Sequence, residues 1–375
     1  MQYTRDMPVI APADWAARGT VLSSTDQTPF DFTKLPDGTS AKKFVYQSIS
    51  GITGATTVVG GAVFVPGGAP PPGGWPVIGN AHFTTGVVPD CGTLEDSQLS
   101  GLISSVDDLL GQGYAVAYTD YAGLGEAATA AGANQVHAYL EPKSEAFNLI
   151  DAVTAARSLV PELSNRWVAY GGSQGGQAAW ATAEYFPTYS ATTELLGAVA
   201  LAPALDITGI GALAEDSALD KDQKTIWPVL IAGLAAVDPD IDPDDFMTGA
   251  LRQGLGAVVA CRGPNAEHQH AAVNHVTDDD FTISSPEAAA RLVTRLESYS
   301  LPQRPTPIPI LAMYGGIDPL INPAWTEDAI GRACALGDKI VKVRLDDQGH
   351  GVDPGAIDDR WIAARFAGQP AESNC

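Results

Sequence analysis

Basic residues are scarce in this chain. Its 375 residues include 21 Lys and Arg against 44 Asp and Glu, a formal net charge of −23. A field of that sign repels phosphate backbones and anionic lipid surfaces, so no nucleic acid partner is expected. Long apolar runs are missing too: the longest candidate, "IWPVLIAGLAAV" from Ile226 to Val237, is too short to span a bilayer. The opening "MQYTRDMPVI" lacks the basic region and apolar run of a signal peptide, as expected of a cytoplasmic protein or of a mature form with an added Met. Cysteine is limited to Cys91, Cys261, Cys334 and Cys375, and none form a CxxC pair, which gives a zinc site or a thioredoxin-like motif little support. Four cysteines leave open two disulfides in any of three pairings, or four buried thiols. There is no GxxxxGK[ST] loop and no internal repeat.

What is present is core material. Hydrophobic residues make up 45% and charged residues 17% of the chain, enough to bury a large core and too apolar for global disorder. The length suits two or three domains, or one large domain with insertions. Short runs rich in Val, Ile and Tyr, bounded by Gly, Pro, Asp or Ser, predict strands at 44–50, 57–65, 76–81, 114–119, 166–171, 197–202, 308–314 and 340–345. Leu99, Leu102, Ile103, Val106, Leu109 and Leu110 follow helical spacing, with Asp96 or Ser97 as the N-cap; Leu149, Val153, Ala156 and Val160 repeat the pattern. Two early strands followed by alternating strand and helix predict an α/β fold with a mostly parallel sheet covered on both faces. The alternation breaks between Asp206 and Pro302, so residues 1–205 and 303–375 are expected to form the core and 206–302 a mainly helical inserted cap or lid. "VPGGAPPPGGW" (65–75) reads as a surface loop.

The stretch "YGGSQGG" (170–176) joins a strand pattern, "RWVAY", to a helix pattern, "QAAWATAEYF". Gly171 and Gly175 flank Ser173 as GxSxG, the sequence of a nucleophile elbow, in which the residues two before and two after the serine must be small. A serine needs a base, and the base needs an acid to hold its tautomer. On an α/β-hydrolase the order is Ser, then Asp or Glu, then His, each after a later strand. Asp318 in "YGGIDPLI" and His350 in "DDQGHG" fit that order, with Asp206 as the reserve acid and Asp346 and Asp347 as solvated turn charges. His268, His270 and His275 have no matching carboxylate or cysteine pattern, and "DPDIDPDD" (238–245) lacks the EF-hand glycine and closing Glu, so no metal is expected. "GLGEAA" (123–128) resembles GxGxxA, but no second strand ending in an acidic residue follows, and no NAD is expected.

With these residues in view the chain resembles the secretory lipase family, the lipase A-type α/β-hydrolases, from about Tyr46 to the C-terminus. The resemblance rests on "GQGYAVAYTDYAGLG", "SEAFNLIDAVTAARSL", "GGSQGG", "GGIDPLI" and "QGHG". It implies a secreted, cofactor-free enzyme that hydrolyses carboxylic esters, often acylglycerols, beneath a helical lid. It also implies pairing of Cys91 with Cys261 and of Cys334 with Cys375. An oxyanion hole needs two donors. The elbow supplies the amide of Gln174, and the resemblance points to Asp120 in "YTDYAG" for the second, with the loop at His82 in "HFTTG" as second choice. Relatives often carry HGTTG there, and Phe83 departs from that pattern. The expected reaction runs through an acyl-enzyme on Ser173; transfer of the acyl group to an amine or alcohol, amide hydrolysis, and a silent hydrolase fold used for binding are the alternatives. The expected partner is a small-molecule or lipid ester, with at most transient contact with a lipid interface.

Overall fold

The computed structural model describes residues 4–130, 136–190 and 192–375. Nine strands form one sheet in the order β1-β2-β3-β5-β4-β6-β7-β8-β9. They are β1 (Val21–Thr25), β2 (Ser40–Ile49), β3 (Thr56–Val65), β4 (Trp75–Ala81), β5 (Ala115–Thr119), β6 (Leu163–Gly172), β7 (Glu194–Leu201), β8 (Ile310–Gly315) and β9 (Ile340–Leu345). The pairs β1/β2, β2/β3 and β3/β5 are antiparallel, and every pair from β5/β4 to β8/β9 is parallel. This is the α/β-hydrolase fold class: a mostly parallel sheet with helices on both faces.

Period-two alternation sorts the strand residues between the faces. Val77, Trp167, Ala169, Ala198, Ala200 and Ala312 pack with the helices Pro142–Leu159 and Gln174–Tyr189. Ile78, Val168, Val199, Leu311 and Met313 pack on the other face with Ile103–Gly111 and Ile357–Phe366. Both faces are covered, so the central strands read as unbroken apolar runs.

The edge strand β1 has no sequence signal because only Val21 is even partly buried and the other four residues are exposed. The strand predicted from residue 308 begins at Ile310, since Pro309 has no N–H to give the ladder. The N-cap expected at Asp96 or Ser97 is also corrected. Leu99 and Ser100 adopt φ of 51° and 54°, which breaks the pattern into a 3₁₀ turn, and the helix starts at Ile103 with Leu102 as its cap.

Between β7 and β8 the described chain is mostly helical: Gly209–Glu215, Lys221–Val237, four short helices from Gly249 to Val273, and Pro286–Tyr299. Trp227, Leu230, Ile231, Leu234, Phe246 and Leu292 gather there in a separate apolar cluster, which Tyr139, Leu140 and Ile321 join from outside the segment. Two disulfides are formed, Cys91–Cys261 and Cys334–Cys375, with Cα separations of 5.0 and 5.3 Å. The first ties the loop after β4 to this helical segment. Among the described residues no helix is long and apolar enough to cross a membrane.

Candidate active site

β6 runs directly into the helix Gln174–Tyr189, and Ser173 stands at the junction with φ 56° and ψ −116°. A non-glycine residue in that region costs on the order of 1–3 kcal/mol and needs its surroundings to hold it. Here its N–H donates to the Leu201 carbonyl at 2.8 Å, and its own carbonyl accepts from the Gln177 N–H at 3.0 Å. The flanking glycines are required by close approach. A Cβ on Gly171 would collide with the Gly175 carbonyl, and a Cβ on Gly175 with the Ala81 carbonyl.

The parallel strands bring their C-terminal ends to one rim. Asp318 follows β8 and His350 follows β9. His350 Nε2 lies 2.9 Å from Ser173 Oγ, and His350 Nδ1 lies 2.8 Å from Asp318 Oδ2. The other Asp318 oxygen accepts the N–H groups of Leu320 and Ile321 at 2.9 and 3.0 Å, so the carboxylate is fixed at both ends. With an acceptor on Nδ1, the imidazole carries its proton there and presents Nε2 as a base toward Oγ. The reserve acid Asp206 is engaged elsewhere: Oδ1 accepts from Thr208 and Oδ2 meets Arg332 at 2.7 Å.

Ser173 and His350 open on a cavity of about 430 Å³. Phe83, Ile207, Ile210, Ile226, Leu320 and Val352 supply apolar wall, and among the described residues no Asp, Glu, Lys or Arg lines it. Such a volume and lining suit a neutral, apolar ligand with few polar groups. Ile207, Ile210 and Ile226 come from the helical segment between β7 and β8. Phe83 is 39% exposed and reaches both the cavity and solvent.

The expected oxyanion donors are placed differently from one another. Gln174 follows Ser173 at the helix start, where the first N–H groups have no intrahelical acceptor. Asp120 is not on the cavity wall, and its N–H is taken up by the Gly60 carbonyl at 2.9 Å. Its Oδ1 accepts from the Thr93 N–H and hydroxyl at 2.7 and 2.8 Å, and burial pushes the carboxyl up to about 7. His82 lies behind the wall. Its Nδ1 donates to the Phe83 carbonyl at 2.6 Å, and burial pushes it down to about 4. His82 Nε2 and Asp120 Oδ1 are 3.7 Å apart, too far for a hydrogen bond, and with these shifts the pair is not an ion pair near neutrality. Phe83 and Thr84 do line the cavity, and among the described residues neither of their amides donates to a protein acceptor.

Sequence reasoning missed the segment 136–141. Tyr139 and Leu140 line the cavity, with the Tyr139 hydroxyl 2.8 Å from Thr84 Oγ1. Leu140 has φ 59°, and no sequence pattern announces a left-handed leucine. Among the described residues no group of three or more His, Cys, Asp or Glu gathers as a metal site; His268, His270 and His275 fall on or beside the short helices of the β7–β8 segment.

Sheet, elbow and rim together define an α/β-hydrolase. Residues 95–248 match the family model described as Secretory lipase. Among solved structures it is similar to the rice cell wall degrading esterase LipA from Xanthomonas oryzae, with 20% identity, TM-score 0.68, and coverage of 94% of this chain and 100% of that one. It is similar to Candida antarctica lipase A in its closed state at 15% identity and TM-score 0.72, covering 97% of this chain and 86% of that one. A putative hydrolase from Legionella pneumophila aligns at 15% identity and TM-score 0.64, covering 88% and 93%. No curated protein matches the sequence. The family description and the two disulfides suggest an extracellular protein.

Proposed function

We propose that the protein is a secreted serine esterase or lipase working through Ser173, His350 and Asp318. The observation that carries this is the pair of contacts at 2.9 and 2.8 Å linking Oγ, imidazole and carboxylate at the mouth of an uncharged cavity. Ser173 Oγ attacks the ester carbonyl while His350 Nε2 takes its proton, and Asp318 steadies the imidazolium. The oxyanion is held by the Gln174 amide and by a second donor. Phe83 and Thr84 line the cavity and their amides have no protein acceptor among the described residues, which favours the His82–Gly86 loop over Asp120, whose N–H is already bonded. His350 returns the proton to the leaving alcohol, and water releases the acid from the acyl-enzyme.

Residues 206–302 form the cap in this reading. Ile207, Ile210 and Ile226 give the acyl group an apolar wall and keep water from the acyl-enzyme. The substrate is a small-molecule or lipid ester, in keeping with the esterase and lipase that share the fold.

The test is initial rates on p-nitrophenyl esters from acetate to palmitate, with Ser173→Ala alongside. A rate that peaks at long chains and vanishes in the variant supports a lipase. A peak at acetate or butyrate makes it a short-chain esterase. Turnover surviving in Ser173→Ala would sink the assignment. Adding a competing alcohol and analysing products separates hydrolysis from acyl transfer.

A further inference from the structure

Behind the elbow, a single carboxyl oxygen serves two donors. Glu145 lies in the first turn of the helix Pro142–Leu159 and is 1% exposed. Its Oε1 accepts the Leu140 N–H at 2.9 Å and the Gln174 side-chain amide at 2.8 Å. The same amide reaches His137 Nε2 at 2.8 Å, and His137 Nδ1 faces the Ala122 carbonyl at 3.2 Å, which sets Nε2 as the acceptor. Glu145 Oε2 has no hydrogen-bond partner among the described residues. Glu145 also borders a cavity of about 40 Å³ with Ser144, His137 and Asn148, polar enough and large enough for water.

Each donor belongs to or adjoins a left-handed residue. Leu140 holds φ 59°, and Gln174 follows Ser173, which holds φ 56°. Leu140 and Ser173 both line the 430 Å³ cavity. Left-handed non-glycine residues persist only where neighbours over-determine them. Glu145 Oε1 is a common restraint on the backbone of one and on the residue after the other.

We propose that Glu145 is a positioning residue for ester hydrolysis: through Oε1 it holds Leu140 and Gln174, and so aims the Gln174 amide at the oxyanion. The inference rests on the serine esterase reading above. A misplacement of tenths of an ångström at an oxyanion donor removes stabilisation made only in the transition state, so the loss falls on kcat rather than KM.

The experiment compares Glu145→Leu and Glu145→Gln with wild type, each normalised to sites titrated by a fluorophosphonate. Per titrated site, Glu145→Leu should lose about 10- to 100-fold in kcat with KM changed less than about threefold. An alkylboronic acid, whose tetrahedral adduct on Ser173 puts an oxygen where the oxyanion forms, should bind more weakly by a matching factor. Glu145→Gln keeps an acceptor for both donors and turns its NH₂ to the polar cavity, so it should recover most of the loss. A role confined to folding lowers the titratable fraction and the Tm but leaves per-site kcat and boronate affinity at wild-type values; that result overturns the proposal. If Glu145→Leu gives no soluble protein, Gln174→Met removes the side-chain donor while keeping the backbone amide, and is read in the same way. A wild type that the fluorophosphonate does not label overturns the serine esterase reading and this inference with it, whereas labelled wild type with unaltered variants overturns this inference alone.

Discussion

At Gly175 a hydrogen atom is all that fits beneath the Ala81 carbonyl, while at Gly256 a methyl group would meet open space. Gly175→Ala should therefore destabilise by the full overpacking cost, about 1–3 kcal/mol, and displace Ser173, whereas Gly256→Ala should be neutral or slightly stabilising. Urea midpoints of the two variants check this, with ester turnover as the second readout. Asp318→Asn should leave the circular dichroism unchanged and lower kcat by about 10³–10⁴-fold, because an amide facing Nδ1 favours the wrong imidazole tautomer. Asp206→Asn should cost less than about threefold, since its partners are Thr208 and Arg332. These residues were legible because their chemistry is tied to chain order: a small–x–Ser–x–small turn, then an acid, then a histidine, each just past a strand. Glu145 was not legible. One buried carboxylate in "SEAFNLID" looks like any helix-start acid until Leu140 and Gln174 are brought to the same oxygen. For Asp120 the place after β5 is visible in sequence, but the donation of its N–H to Gly60 is a long-range contact that no local pattern announces.

Among elements, strands were the easiest to read, because burial on both faces leaves continuous apolar runs. The exception is β1, whose four exposed residues carry no pattern and which contributes only the partly buried Val21 to the core. The helix at 103–111 was legible in its apolar face and not in its start, because left-handed Leu99 and Ser100 obey no periodicity. The disulfides act at this scale too. Cys91–Cys261 spans 170 residues and Cys334–Cys375 spans 41. Loop-closure entropy gives about 5 and about 4 kcal/mol respectively, so the long bridge should contribute more. Thermal unfolding of the two Cys→Ser double variants tests the ranking; an equal or reversed order would show that native packing, not unfolded-state entropy, decides it. The long bridge also sits against Gly86, where a Cβ would strike both sulfurs, at the end of the loop that carries Phe83 and Thr84. Removing that bridge should therefore lower turnover more than removing the short one.

Over the whole molecule, acidity shapes the response to pH. Burial pushes Asp120 and Asp151 up to about 7 and Glu184 up to about 8. In the unfolded chain such groups titrate near 4. Between about pH 4 and about pH 7–8 the folded protein keeps protons the unfolded chain has released, so this stability is fully present below that window and is lost as pH rises through it. Self-repulsion from a net charge of −23 works in the same direction. Urea midpoints should be higher at about pH 5 than at about pH 8.5, and Asp151→Asn should flatten the slope. A midpoint that climbs over that range would contradict the assignment of these protons. The covalent outline of the molecule adds one more consequence. Cys91 and Cys261 close a ring of chain that contains Ser173 and leaves Asp318 and His350 outside. A protease that nicks the exposed turn at Asp216 and Ser217, inside the ring, would leave two fragments still joined through sulfur. Nicked protein should run as one band without reductant and as two with it, and should go on hydrolysing esters until the bridge is cut.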